Sequence, residues 1–143
     1  MPPSRDSQPP NLRVVLCDDV PALRELTRIG LEDGPGLEVV GEAGDAAAGI
    51  EAVSRLRPDV VLLDLSMPGM DGLEAIPLMR ERHRPVGIVV FSNFAEARMA
   101  DVAKDLGADR YIQKGEDFAA LREVAFSVAR ERRRSAASDP HHS

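Results

Sequence analysis

Five times along this chain, an apolar run of strand length gives way to a stretch with helical spacing, and no other feature restricts the possible architectures as much. The runs are Leu12–Cys17, Leu37–Ala43, Val60–Leu65, Val86–Phe91 and Arg110–Gln113. Helix-like stretches follow from Pro21, Asp45, Leu73, about Glu96, and Asp117 or Phe118. Unbroken alternation of this kind builds a parallel sheet covered by helices on both faces. Right-handed crossovers reduce the options further. The expected fold is α/β: a flavodoxin-like, doubly wound (βα)5 unit whose parallel strands lie in the order 2-1-3-4-5.

Local chemistry marks the joints. Pro21 opens the first helix where its missing N–H costs little, and Gly34-Pro35-Gly36 stops it. Leu23, Leu26, Thr27 and Leu31 mark its expected inner face. Asp45 caps a second helix reaching about Arg57, with Ala47, Ile50, Val53 and Leu56 as its apolar stripe. Ser66-Met67-Pro68-Gly69-Met70-Asp71-Gly72 is turn chemistry throughout. Pro77 removes a backbone donor beyond the first turn of the third helix, which predicts a kink or a late start. The final helix is expected to end near Arg133. The chain therefore divides into a disordered, proline-rich tail over 1–10, one domain over 11–134, and a frayed tail over 135–143 that leaves His141 and His142 solvated.

A length of 143 residues suits a single domain. Hydrophobic residues at 43% and charged residues at 29% describe a soluble globular protein. A formal net charge of −6 argues against direct nucleic-acid binding. No apolar stretch approaches the roughly 18–20 residues of a membrane span, and the N-terminus lacks the basic and apolar regions of a signal peptide. No membrane association is expected. The single cysteine, Cys17, cannot form an internal disulfide, which fits a reducing cytoplasm. Cys17 is either a reactive thiol or a small buried hydrophobe closing a strand. The two acids after it would raise its pKa, which favours the second reading.

In an open parallel sheet the carboxyl ends of the strands share one edge, and ligands bind there. Asp18 with Asp19, Asp64, Ser92 and Lys114 each fall at the tail of a predicted strand or in the bend after it. With the first strand central and the third beside it, Asp18, Asp19 and Asp64 become neighbours. Three carboxylates so close repel unless a cation or protons intervene. Magnesium, a hard ion that takes a few carboxylate oxygens and keeps waters, suits that gap, with manganese as a substitute. Capping the helix after the first strand would explain one of Asp18 and Asp19, but not both together with a third acid. Asp64 is the candidate for covalent chemistry, because a carboxylate can attack phosphorus to form an aspartyl phosphate. Such a step needs in-line geometry and neutralised phosphoryl oxygens more than a base. Lys114 could neutralise one oxygen, and the Ser92 hydroxyl could donate to another. A lone lysine is more often a solvated charge and a lone serine a strand-end cap; convergence is the signal.

Four segments together resemble a response-regulator receiver domain of bacterial two-component signalling. They are Cys17-Asp18-Asp19, Leu63-Asp64-Leu65-Ser66-Met67-Pro68-Gly69-Met70-Asp71-Gly72, Phe91-Ser92 and Tyr111-Ile112-Gln113-Lys114. The resemblance covers about Leu12 to Arg130. Gly41-Glu42-Ala43 and Gly107-Ala108-Asp109 most resemble the branch joined to LuxR/NarL-type helix-turn-helix output domains. By this resemblance Asp64 is the phosphoacceptor, supplied by a histidine kinase or phosphotransfer protein. It also implies that Asp18, Asp19, Asp64 and the backbone carbonyl of Ser66 hold magnesium. Ser92 is implied as the switch hydroxyl, Tyr111 as the aromatic that swings inward with it, and Lys114 as the phosphoryl-binding ammonium. Many members carry Pro after the lysine, where this chain has Gly115, and Ser92 replaces a commoner threonine. Tyr111 as an ordinary core-edge residue remains an alternative.

The resemblance implies a signalling switch and no turnover of external substrates. Phosphate would shift the surface of the fourth helix, fifth strand and fifth helix, to control a downstream protein, an output domain or a homodimer. Ala97, Met99, Ala100, Ala103 and Ala119 would leave parts of that surface apolar, interleaved with Glu96, Arg98, Asp101, Lys104 and Asp105. Two rivals remain: a receiver-like adaptor that works without phosphorylation, and a magnesium-dependent phosphohydrolase. Against the hydrolase, Ser66 stands two residues after Asp64, where enzymes resembling haloacid dehalogenases place a second Asp. No glycine-rich mononucleotide motif follows a strand.

Overall fold

The computed structural model describes residues 11–65, 72–92, 97–115 and 117–137. Its elements are β1 (Leu12–Cys17), α1 (Pro21–Leu31), β2 (Leu37–Ala43), α2 (Ala46–Leu56), β3 (Val60–Asp64), α3 (Gly72–Arg82), β4 (Gly87–Ser92), α4 (Ala97–Asp105), β5 (Arg110–Gln113) and α5 (Phe118–Ala137). All strand pairs are parallel, and the sheet runs β2-β1-β3-β4-β5, the order expected from the alternation.

The side-chain alternation of the strands sorts the core into two layers. Val15, Cys17, Val61, Leu63, Ile88 and Val90 face α2, α3 and α4 and pack against Ile50, Val53, Ile76 and Met79. Val14, Leu16, Val60, Leu62, Val89 and Phe91 face the other way, against Leu31 of α1 and Leu121, Ala125 and Val128 of α5. β1 and β3 are apolar on both faces because both faces are covered. At the outer margin β2 is guarded: the Val39 N–H donates to Glu32 Oε2 at 3.0 Å.

Several local expectations shift. Of the four residues predicted on the inner face of α1, Thr27 and Leu31 are buried, whereas Leu23 and Leu26 are 44% and 53% exposed. Gly30 accounts for the difference: a Cβ there would overlap the Phe118 ring, so α1 closes on α5 at that point and Leu23 and Leu26 line a cleft instead. The Asp45 carboxylate accepts the Ala48 N–H at 2.8 Å, the predicted cap, but Ala46 rather than Ala47 turns inward. α3 starts at Gly72 with Pro77 inside it, so the proline does not delay the helix. α5 continues to Ala137, past the expected end near Arg133 and into the stretch predicted as a frayed tail. The Ser66–Asp71 loop, including the Ser66 carbonyl, lies outside the described residues, as do 1–10 and the two terminal histidines.

A charged knot ties the opposite, N-terminal edge of the sheet. Asp109 accepts the Ile88 N–H at 2.8 Å and Arg80 Nη2 at 3.1 Å, with Arg132 Nη1 at 3.6 Å. Arg80 also donates to the carbonyls of Gly107, Arg84 and Val86. The ends of α3, β4, β5 and α5 are thus held by one carboxylate and two guanidinium groups.

Candidate functional site

Strand register brings the acids together. Cys17 pairs with Leu63, so the next residues, Asp18 and Asp64, emerge side by side at the carboxyl edge of the two central strands. Asp64 pairs with Phe91, and Ser92 pairs with Gln113, which sets Lys114 one step further. Asp18 and Asp64 are each 1% exposed, Ser92 is fully buried, and Asp19 is half-buried. One ligand atom from each of Asp18, Asp19 and Asp64 lies within 4.8 Å of the others. Among the described residues this is the group of acids able to share a cation.

Lys114 closes the cluster. Its ammonium donates to Asp18 Oδ2 at 3.1 Å and Asp64 Oδ2 at 3.0 Å. It also lies 5.0 Å from the centre of the Phe91 ring. Burial pulls the lysine pKa down, but the hydrogen bonds it donates to Asp64 and Asp18, and their charges, outweigh it, and the net direction is up. The ammonium is therefore a fixed positive charge facing the phosphoacceptor candidate. Gly115 follows at φ +107°, outside proline's range, so the turn takes a different path from a Lys-Pro turn.

The other expected residues divide. Ser92 stands beside the cluster on β4, and its carbonyl accepts the Lys114 backbone N–H at 2.6 Å. Tyr111 is half-buried and packs against the α2–α3–α4 core layer together with Met99. Cys17 is fully buried; desolvation chiefly, with nearby carboxylates, pushes its thiol up to about 12, which supports the buried-hydrophobe reading. Two contributors have no site role legible in the sequence. Phe91 supplies the ring beneath Lys114, and Arg24 of α1 donates from Nη1 to the Asp18 backbone carbonyl at 2.6 Å. Both depend on tertiary contact.

This geometry fits a hard divalent ion. The donors are carboxylate oxygens, buried enough to be preorganised and open enough at Asp19 to leave room for water. A cleft of about 380 Å³ runs from Asp18 and Lys114 between α1 and α5, bounded by Leu23, Leu26 and Phe118. Among the described residues, no helix is long and apolar enough to cross a membrane.

Comparison with known proteins identifies the family. The family model of the response regulator receiver domain matches residues 14–126. The transcriptional regulatory protein BtsR of Shigella flexneri is 37% identical over 123 residues, which is 85% of this chain and 49% of that protein. The nitrate/nitrite response regulator protein NarL of Escherichia coli K12 is 42% identical over 101 residues, 71% of this chain and 47% of that protein. The chain spans about half the length of these curated relatives. The solved receiver domain of the response regulator NarL from Mycobacterium tuberculosis superposes with a TM-score of 0.81 at 33% identity, covering 85% of this chain and 98% of that one. The chain belongs to the response regulator receiver domain family.

Proposed function

We propose that this receiver is a phosphorylation-dependent switch in which Asp64 accepts a phosphoryl group from a histidine kinase or phosphotransfer protein. The observation that carries this reading is Lys114, bonded at once to Asp18 and Asp64 beside a third carboxylate. An Asp64 carboxylate oxygen attacks phosphorus and forms the O–P bond. The P–N bond to the donor imidazole breaks, and the leaving nitrogen keeps the electron pair. Lys114 binds a phosphoryl oxygen, and the Ser92 hydroxyl donates to another. Asp18, Asp19 and Asp64, with the Ser66 carbonyl, are the residues that would hold magnesium, or manganese in its place. When bound, that ion supplies the charge that neutralises the transferring oxygens.

Drawing Ser92 and Lys114 toward the phosphoryl group favours one of two arrangements, with Tyr111 following inward. The α4–β5–α5 surface then controls a downstream protein, an output domain or a second copy. Shifting a population from 1:99 to 99:1 needs about 5.5 kcal/mol of differential interaction, within reach of two or three charge-assisted hydrogen bonds. We place the switch in the cytoplasm, where kinase donors and a reduced Cys17 coexist, and assign it no turnover of external substrates.

Acetyl phosphate with magnesium tests the reading. Intact-mass spectrometry should show one added phosphoryl group, stable in acid and lost in base, and absent from Asp64→Asn. An unmodified wild type, or an equally modified Asp64→Asn, overturns it. Continuous phosphate release from diverse monoesters would favour the phosphohydrolase instead.

A further inference from the structure

Every polar atom of Asp18 is held. Its N–H donates to the Ala43 carbonyl at 3.0 Å, Oδ1 accepts the Val20 N–H at 3.0 Å, and Oδ2 accepts Lys114. Its carbonyl oxygen accepts Arg24 Nη1 at 2.6 Å. Arg24 is held in turn: its Nε donates to Glu42 Oε1 at 3.1 Å near the end of β2. Glu42 Oε2 also lies 3.3 Å from Arg28 Nε. The guanidinium therefore clamps the β1–α1 bend to β2 from behind the acidic cluster.

We infer that Arg24, seated by Glu42, is a positioning residue that sets the divalent-cation affinity of the cluster by fixing the Asp18–Asp19 bend. This rests on the metal-binding reading above. Two effects of the guanidinium oppose each other. Its positive charge near the site repels a cation. Its bond to the Asp18 carbonyl holds the bend in the conformation in which both acids face Asp64. Removing outer-layer partners of metal ligands commonly lowers affinity about 10–100-fold. With a bend anchored by a bond of 2.6 Å to a residue 1% exposed, positioning outweighs repulsion.

Backbone-amide chemical shifts titrated with magnesium give affinity and foldedness in one spectrum, so a displaced bend is told apart from an unfolded chain. Arg24→Met should weaken magnesium binding about tenfold and speed hydrogen exchange at the Val20 N–H, leaving the Leu62 N–H in the core unchanged. Arg24→Lys keeps the charge but cannot reach both partners, and should fall between. Glu42→Gln, which leaves Arg24 and its charge in place, should weaken binding in the same direction. It also keeps the test open should Arg24→Met fail to fold. Unchanged or tighter binding in Glu42→Gln and Arg24→Lys overturns the inference while the metal site stands. A wild type with no saturable magnesium response overturns the site and the inference together.

Discussion

The Lys114 ammonium stands 3.0 Å from Asp64 Oδ2, joining two residues 50 positions apart in sequence. The lysine side chain is 15% exposed and the carboxylate 2%, so this is a desolvated pair whose disruption strands a buried charge. Lys114→Met should lower the unfolding free energy by about 3 kcal/mol in chelator, measured by urea denaturation. Saturating magnesium should shrink that deficit, because a bound cation replaces the missing charge. An identical deficit with and without magnesium would show that the ion and the lysine do not share these acids. The lysine pKa is raised above 10.5 in the fold, so this contribution is complete below that pH. It is lost only as pH rises through the folded value.

His83 predicts a pH dependence of the opposite kind. Burial chiefly, and then the Arg57 charge, hold its pKa below the ordinary 6.5, while its Nε2 lies 3.1 Å from the Pro58 carbonyl. An imidazole that resists protonation when folded contributes stability above 6.5 and loses it as pH falls toward the folded value. Urea midpoints should therefore drop between neutral pH and pH 5 more steeply in the wild type than in His83→Gln. Parallel curves would refute the assignment.

At the knot below the sheet, the Asp109 carboxylate matters more than the Arg132 guanidinium. Asp109→Ala leaves the Ile88 N–H and the half-buried Arg80 without an acceptor they now have, and should cost about 3 kcal/mol. Arg132→Ala removes a longer, 3.6 Å contact and an exposed 2.7 Å bond to the Arg84 carbonyl, and should cost less, about 1 kcal/mol. Thermal denaturation of the two variants side by side measures the ranking, and a reversal would contradict it.

Gly30→Ala tests the α1–α5 contact. The added methyl collides with the near atoms of the Phe118 ring, which cannot step aside as a flexible side-chain tip would. Overpacking of this type costs about 1–3 kcal/mol. Combining Gly30→Ala with Phe118→Ala should recover part of that loss in a double-mutant cycle. A purely additive cycle would mean that the two sites do not meet.

Much of this was legible in the chain. Strand–helix alternation carries the sheet order, and strand ends carry Asp18, Asp19, Asp64 and Lys114, because topology converts a terminal position into a shared edge. What the chain concealed is tertiary. Leu23 and Leu26 have core spacing, yet the close approach at Gly30 and Phe118 turns them to a cleft; helical period alone cannot distinguish the two. Pro77 did not postpone α3, because Gly72 and Ala75 are buried in its first turn and packing outweighs one lost donor. α5 outlasts Arg133, and Arg132 in its last turns bonds to the Arg84 carbonyl at 2.7 Å, a contact between residues 48 apart that helical spacing does not announce. Arg24 showed nothing in sequence, since its partners Asp18 and Glu42 become neighbours only when β1 and β2 pair.

The Glu32 carboxylate on the Val39 N–H has a consequence for how copies of this domain meet. An unpaired strand margin is a template for another chain, and here a donor it would offer is already taken. Flanking ion pairs from Arg24 and Arg28 to Glu42 add charge along the same border. An intruding strand would have to evict a carboxylate and leave those charges uncompensated, which shields this side of the molecule from fibre-like stacking at the high concentrations of a crowded cell.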